Sequence, residues 1–191
     1  MEMRKAIRYG AILLLSAGLN QACEAQSKEE TLQWIKSRLP ETTATSQYDD
    51  NTVSASYSNV VINGCLLTYT EKFTNVEADI FSGGDRSTAK SVTEVAIPLD
   101  RLSSARFRSA HDTPSDELLV ASAVVFESAD KAIATTWTST SQDYSEPVRT
   151  AHGSKSQSTY AIWVSDKDVA QRLVKAFSHA IELCGGKKEA F

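Results

Sequence analysis

Val60-Val-Ile-Asn-Gly-Cys-Leu-Leu-Thr-Tyr69 sets two apolar runs on either side of an Asn-Gly pair. A two-residue hairpin of type I′ needs positive φ at both central residues, and Asn-Gly adopts that at the least steric cost. The stretch therefore predicts a hairpin centred on Asn63-Gly64 and, with it, an antiparallel sheet. Successive strand side chains point to opposite faces, so Cys65, Leu67 and Tyr69 share one side. Cys65 is expected to face the core with the larger apolar groups.

Further strands are expected near 91–99, 104–109, 117–126, 132–139 and 158–165, rich in Val, Thr, Phe and Trp that suit a pleated, half-buried surface. Ser128-Ala129-Asp130-Lys131 reads as the turn of a second hairpin, between 117–126 and 132–139. Three polar stretches read as loops: 41–51, the Ser82-Gly83-Gly84-Asp85 segment, and 140–157 with Pro147 and Gly153.

Two helices bracket the strands. Ser27 and Glu30 form a Ser-x-x-Glu capping box, Leu32, Ile35 and Leu39 fall on one face, and Pro40 ends the run, which predicts a helix over 28–39. Toward the other end Val169, Leu173, Ala176, Phe177, Ala180 and Cys184 recur at spacings of three and four. Ser165 and Asp168 stand at cap positions and Gly185-Gly186 stops the helix. Cys184 lies on the apolar stripe.

Residues 1–25 have the three parts of an export signal. Arg4, Lys5 and Arg8 precede the apolar run Ala11–Leu19, and small residues lead to a cut after Ala25. A membrane-spanning helix needs about 20 apolar residues, and this run is far shorter. Ala22-Cys23 also fits cleavage before a lipid-carrying cysteine, although Asn20 stands where such sites have Leu. The expected product is one domain over 26–191, periplasmic or secreted, with no integral membrane segment after cleavage and with lipoprotein anchoring through Cys23 as the alternative.

Cleavage after Ala25 leaves 166 residues, 17 basic against 22 acidic, a net charge near −5. A mildly acidic chain with no basic stripe gives no electrostatic reason to bind nucleic acid or anionic lipid. Of the three cysteines, Cys65 and Cys184 remain. An even count in an oxidising compartment predicts a Cys65–Cys184 disulfide. Neither has neighbours at metal-ligand spacing, so neither a metal nor a cofactor is expected.

Arg172-Leu-Val-Lys-Ala-Phe-Ser-His-Ala-Ile-Glu-Leu-Cys-Gly185 resembles the closing helix of a group of uncharacterised exported bacterial proteins. An opening Trp-containing helix and a Cys-Leu-Leu-Thr-Tyr-like strand precede it there in the same order, matched here by Trp34 and by Cys65 to Tyr69. The likeness implies export and brings no catalytic residues. A helix, about seven strands and a closing helix also resemble, by element order, a pleckstrin-homology-like roll. The fold expected is therefore α+β: an antiparallel PH-like β-roll with an N-terminal helix and a C-terminal packing helix.

Candidate ligand contacts are the three histidines. His111 and His152 lie in matching tetrapeptides, Arg108-Ser-Ala-His111 and Arg149-Thr-Ala-His152, and His179 lies on the polar flank of the closing helix. Trp34, Trp137, Trp163, Tyr69 and Tyr160 are candidates for a pocket lining, though aromatics in amphipathic elements are more often core. No Gly-x-Ser-x-Gly elbow occurs, and the Gly83-Gly84 loop lacks the phosphate-cradling pattern. No catalytic residue is assigned. The function expected is a non-catalytic binding or interaction module for a small ligand or a protein. The alternative is a small hydrolase using Ser and His in the 109–112 or 150–154 loops.

Overall fold

In the computed structural model, which describes residues 27–48, 51–78, 86–112, 121–143 and 146–186, two helices bracket nine strands. The order is α1 (Lys28–Arg38), β1 (Thr43–Tyr48), β2 (Asn51–Asn63), β3 (Leu66–Ala78), β4 (Arg86–Pro98), β5 (Ser104–Arg108), β6 (Ser122–Glu127), β7 (Ile133–Gln142), β8 (Arg149–Gln157), β9 (Thr159–Val164) and α2 (Lys167–Cys184). The leader expected over 1–25, the loop at 82–85 and the stretch 117–120 lie outside the described residues. The architecture is the α+β one expected, an antiparallel assembly with a helix at each end. Nine strands replace the seven expected, and they form two sheets that do not close into a barrel.

The larger sheet runs β1-β2-β3-β4-β7-β8 and the smaller β5-β6-β9, with antiparallel pairing throughout. Three readings are corrected by this topology. The strands expected near 117–126 and 132–139 do not form a hairpin, because β6 joins the small sheet and β7 the large one. The expected loop at 140–157 is largely strand, the β7–β8 hairpin, with Pro147 in its connection. The expected loop at 41–51 contains β1, an edge strand after the 3-10 turn Leu39–Glu41. These strands were missed for one reason. They are polar strands on or beside a sheet edge, where one face and one flank meet water and apolar alternation is not required.

The β2–β3 hairpin forms one residue later than expected. Asn63 pairs with Leu66, so the turn residues are Gly64 and Cys65. Only Gly64 carries positive φ there, +60°, which matches the II′ pattern with glycine first rather than I′. Cys65 therefore sits at the hairpin tip, half-buried.

Upstream, Asn59 and Val60 together face the single residue Tyr69, a bulge with Asn59 at φ +54°. Its Nδ2 donates to Thr70 Oγ1 at 3.2 Å. The extra residue shifts the phase of β2. Val53, Ala55 and Tyr57 point inward before it and Val60 after it, so an unbroken alternation is not needed to keep all four buried.

One apolar core joins both sheets and both helices. Asp166, rather than Ser165 or Asp168, caps α2, accepting from the Asp168 and Val169 N–H groups at 2.8 and 3.0 Å. Ser165 instead ties β1 to the end of β9: its N–H donates to Thr43 O and its Oγ accepts from Thr45 N, both at 2.9 Å. Ala170, Leu173, Phe177, Ala180 and Ile181 form the buried stripe of α2, and Phe177 meets Phe126 edge-on at 4.8 Å. Full burial of one such side chain stabilises by roughly 1.5–3 kcal/mol.

Cys65 and Cys184 stand in disulfide geometry, Cα to Cα 5.8 Å. The bridge joins the hairpin tip to the last residue of α2, so the C-terminus of the helix lies at the end of the large sheet marked by Leu67, Ile97 and Ile133, while its length packs on β5, β6 and β9.

Candidate functional site

The inward face of the large sheet changes character along its strands, and the register shows how. At the helix end one row runs Leu67, Ile97 and Ile133, all fully buried. The next runs Tyr69, Val95, Thr135 and Lys155, then Glu71, Thr93, Trp137 and Gly153, then Phe73, Ser91, Ser139 and Ala151. The last paired row is Asn75, Ala89, Ser141 and Arg149. Apolar residues at one end thus give way to hydroxyls, an amide and charges at the other. Phe73, Ser91, Thr93, Trp137 and Ser139 are half-buried, whereas on β3, β4 and β7 the two rows nearer the helix are closed.

Two concavities lie end to end along this face. The one beside β9 holds about 220 Å³ and is lined by Glu71, Phe73, Thr93, Trp137, Lys155 and Tyr160, among others. The outer one holds about 440 Å³, with Asn75, Ser87, Ala89, Ser141 and Arg149 on its walls. From Glu71 to Glu77 the face runs ~20 Å at ~3.3 Å per residue, and four strands span ~14 Å at ~4.8 Å each.

At the inner end sits a buried polar cluster. Glu71 is 8% exposed and accepts a short hydrogen bond from the Tyr160 hydroxyl. Burial raises the Glu71 carboxyl above its ordinary range, and the Tyr160 bond offsets part of that. Burial, with Glu71 beside it, likewise holds the Tyr160 hydroxyl in its protonated form. Tyr57 accepts from Trp163 N at 2.7 Å and donates to Trp163 O at 3.1 Å, stitching the two sheets together. The Tyr69 hydroxyl is fully buried close to Tyr160, and burial raises its pKa strongly. At the outer end Asn75 is 7% exposed. Its Nδ2 donates to Glu77 at 2.6 Å while its Oδ1 has no partner among the described residues.

Trp137 owes its place to Gly153. A Cβ at 153 would lie 2.8 Å from the indole Cζ2, so the ring occupies space that only glycine leaves free. An aromatic ring laid across a cross-strand glycine is a known way of stabilising such a site.

The sequence candidates fall on both sides of this geometry. Trp137 and Tyr160 line the groove, while Tyr69 is core beneath it. Trp34 is elsewhere, in a cavity of about 350 Å³ between the helices, where Arg172 stacks on it at 5.6 Å. Trp163 lies under the Arg108 guanidinium at 4.7 Å.

The histidines do not converge. His111 is exposed in the 3-10 turn after β5, His152 is exposed on edge strand β8, and His179 is half-buried on α2. The two matching tetrapeptides therefore belong to different sheets. His152 also alternates with Ala151 and Gly153, which places it on the opposite side of β8 from the groove. Among the described residues no group of three or more His, Cys, Asp or Glu side chains is placed to hold a metal. No helix among them is long and apolar enough to cross a membrane.

Sequence reading missed Glu71 and Asn75. Both were detectable, because they fall in phase with Leu67, Tyr69 and Phe73 on the face that alternation assigns to the core. A carboxyl and an amide in that phase mark where the core ends.

Fold and site together define a disulfide-closed, two-sheet α+β protein with an aromatic and polar groove on its larger sheet. Comparison with family models, curated proteins and solved structures returns no match for the chain.

Proposed function

We propose that the chain is an exported, non-catalytic binding module whose ligand lies on the open inward face of the large sheet. The observation that carries this reading is the interrupted coverage of that face. On β3, β4 and β7 the rows nearest the helix are sealed, while Phe73, Ser91, Thr93 and Trp137 in the same strands keep access to solvent. A concave surface with aromatic walls and a few converging polar groups is the usual form of a ligand site.

Binding is favoured over hydrolysis because the residues expected to carry hydrolysis stand away from the groove. The serines and histidines of 109–112 and 150–154 contribute no lining to the two concavities.

Mapping polar fragments by ¹H–¹⁵N NMR tests the reading. Shifts are expected to cluster at Trp137, Phe73 and Tyr160. A library whose hits all fall on other surfaces would overturn it. Export rests on the leader pattern and on the disulfide, which persists in oxidising compartments. N-terminal sequencing of the exported chain is expected to begin at Gln26. A lipid-bearing Cys23 would establish the anchored alternative, and an intact Met1 would remove the export reading.

A further inference from the structure

We infer that the ligand of this groove is an uncharged, polyhydroxylated chain, a short saccharide, laid across Trp137 and along the hydroxyls of β4 and β7. The inference rests on the reading of the open face as a binding site and narrows the chemistry that fits it.

Charge is the first discriminator. The groove carries Glu71, Glu77, Asp143, Glu146, Lys155 and Arg149, and four of these are already engaged by neighbours. Tyr160 donates to Glu71, Asn75 donates to Glu77, and Arg149 pairs with Glu146. Four acids against two bases disfavour an anion, and the neighbours that engage Glu71, Glu77 and Glu146 leave them less available to draw a cation, which favours an uncharged ligand.

Polarity is the second. A purely apolar ligand would strip water from Ser91, Thr93, Ser139 and Ser141 without replacing their hydrogen bonds, which is costly. These groups both donate and accept, as the hydroxyls of a sugar do. Asn75 Oδ1, unpartnered among the described residues, adds a buried acceptor at the outer end.

Aromatic surface is the third. Phe73 and Trp137 stand in neighbouring rows, and Tyr160 closes the inner end. A sugar ring has C–H faces that pack on such rings and a rim of hydroxyls that meets the serines and threonines around them. The ~20 Å length, at ~3.3 Å per residue, suits a chain of several sugar units rather than one.

The test titrates the exported protein with cellotetraose, maltotetraose, mannotetraose and chitotetraose, followed by NMR and by tryptophan fluorescence. Acidic, basic and neutral tetrapeptides serve as contrasting probes. Saturable shifts at the Trp137 indole N–H are expected with at least one tetrasaccharide. Trp137→Ala should weaken that binding at least tenfold. Thr93→Val, nearly isosteric, should weaken it several-fold with an unchanged melting temperature, which separates lost contacts from lost folding.

If a peptide and none of the sugars shifts this face, the saccharide assignment is wrong and the binding module stands. If neither sugars nor peptides perturb it, both fail. Sugar binding that survives Trp137→Ala and Thr93→Val undiminished would also overturn the assignment.

Discussion

Glu71 carries a carboxyl on the side of β3 that otherwise faces the core, with Tyr57, Tyr69 and Tyr160 around it and Lys155 on the groove wall. Its folded pKa is raised, so the native state holds this proton more tightly than the unfolded chain does. The stabilisation is complete below the ordinary carboxylate range and is lost as pH rises through the folded value. Glu71→Gln removes that loss while leaving an oxygen to accept from Tyr160. The variant should match the parent in melting temperature near pH 4 and exceed it at neutral pH. A parent whose melting temperature rises across that interval relative to the variant would contradict the burial argument. Gly153 gives a second test at this scale. Gly153→Ala drives a Cβ into Trp137, and overpacking of this kind costs about 1–3 kcal/mol. Denaturant unfolding should show that loss together with a shifted tryptophan emission. Gly153 stood in the sequence as a mark of a loop, because neither its pairing with β7 nor the ring above it can be read from a local stretch.

Elements differed in how far the sequence revealed them, and the difference follows where each is buried. Helix α1 was legible from its capping box: Ser27 Oγ accepts from Glu30 N at 3.2 Å, and Ser27 N donates to Glu30 at 2.9 Å. Helix α2 was legible because one stripe meets the core and periodicity records that directly. Strands β1 and β8 left no such record, since side chains such as Thr45, Gln47, Thr150 and His152 lie in water. Trp137 and Tyr160 stood out in the sequence as aromatics, yet only the cross-strand register puts Trp137 in the row of Glu71, and only the packing of the two sheets brings Tyr160 to that carboxyl. The histidine pair failed for the opposite reason. A repeated tetrapeptide is a local likeness, and topology sent its two copies to different sheets. The end of α2 supplies the prediction at this scale. Gly185 has φ +87°, and Gly186 N donates to Ile181 O at 2.9 Å, closing the helix in a Schellman turn. A Cβ at 186 would also come within 3.0 Å of the Leu99 and Leu102 carbonyl oxygens. Gly186→Ala should therefore cost ~1–3 kcal/mol as overpacking against backbone. An exposed alanine substitution such as Lys175→Ala should change stability by less than ~0.5 kcal/mol. Chemical denaturation of both variants checks the contrast.

Across the whole molecule the two ends of the sheets have opposite tasks. The helix end is closed by α2, the apolar rows and the Cys65–Cys184 bridge, while the far end is left polar and open. The bridge spans 119 residues, from the tip of the first hairpin to the last residue of α2. For a loop of about 100 residues the chain-entropy treatment assigns ~4.7 kcal/mol, and losing a native bridge in a small secreted domain typically costs ~2–5 kcal/mol. That is a large part of the ~5–15 kcal/mol that holds an ordinary domain together. The turn explains why Cys65 can make the link: as the residue after Gly64 in a two-residue loop it leaves the ladder and reaches the helix terminus. Cys65→Ser/Cys184→Ser should lower stability by ~2–5 kcal/mol, read as a lower urea midpoint with a slope that rises as the denatured chain loses its cross-link. The groove lies several rows away, so below that midpoint the Trp137 indole resonance should keep its position. A double variant with parental stability would remove the bridge from the forces holding the fold. Should the Trp137 signal move while the chain is still folded, the closed and open ends are not independent, and ligand binding at one would then be sensitive to the redox state of the other.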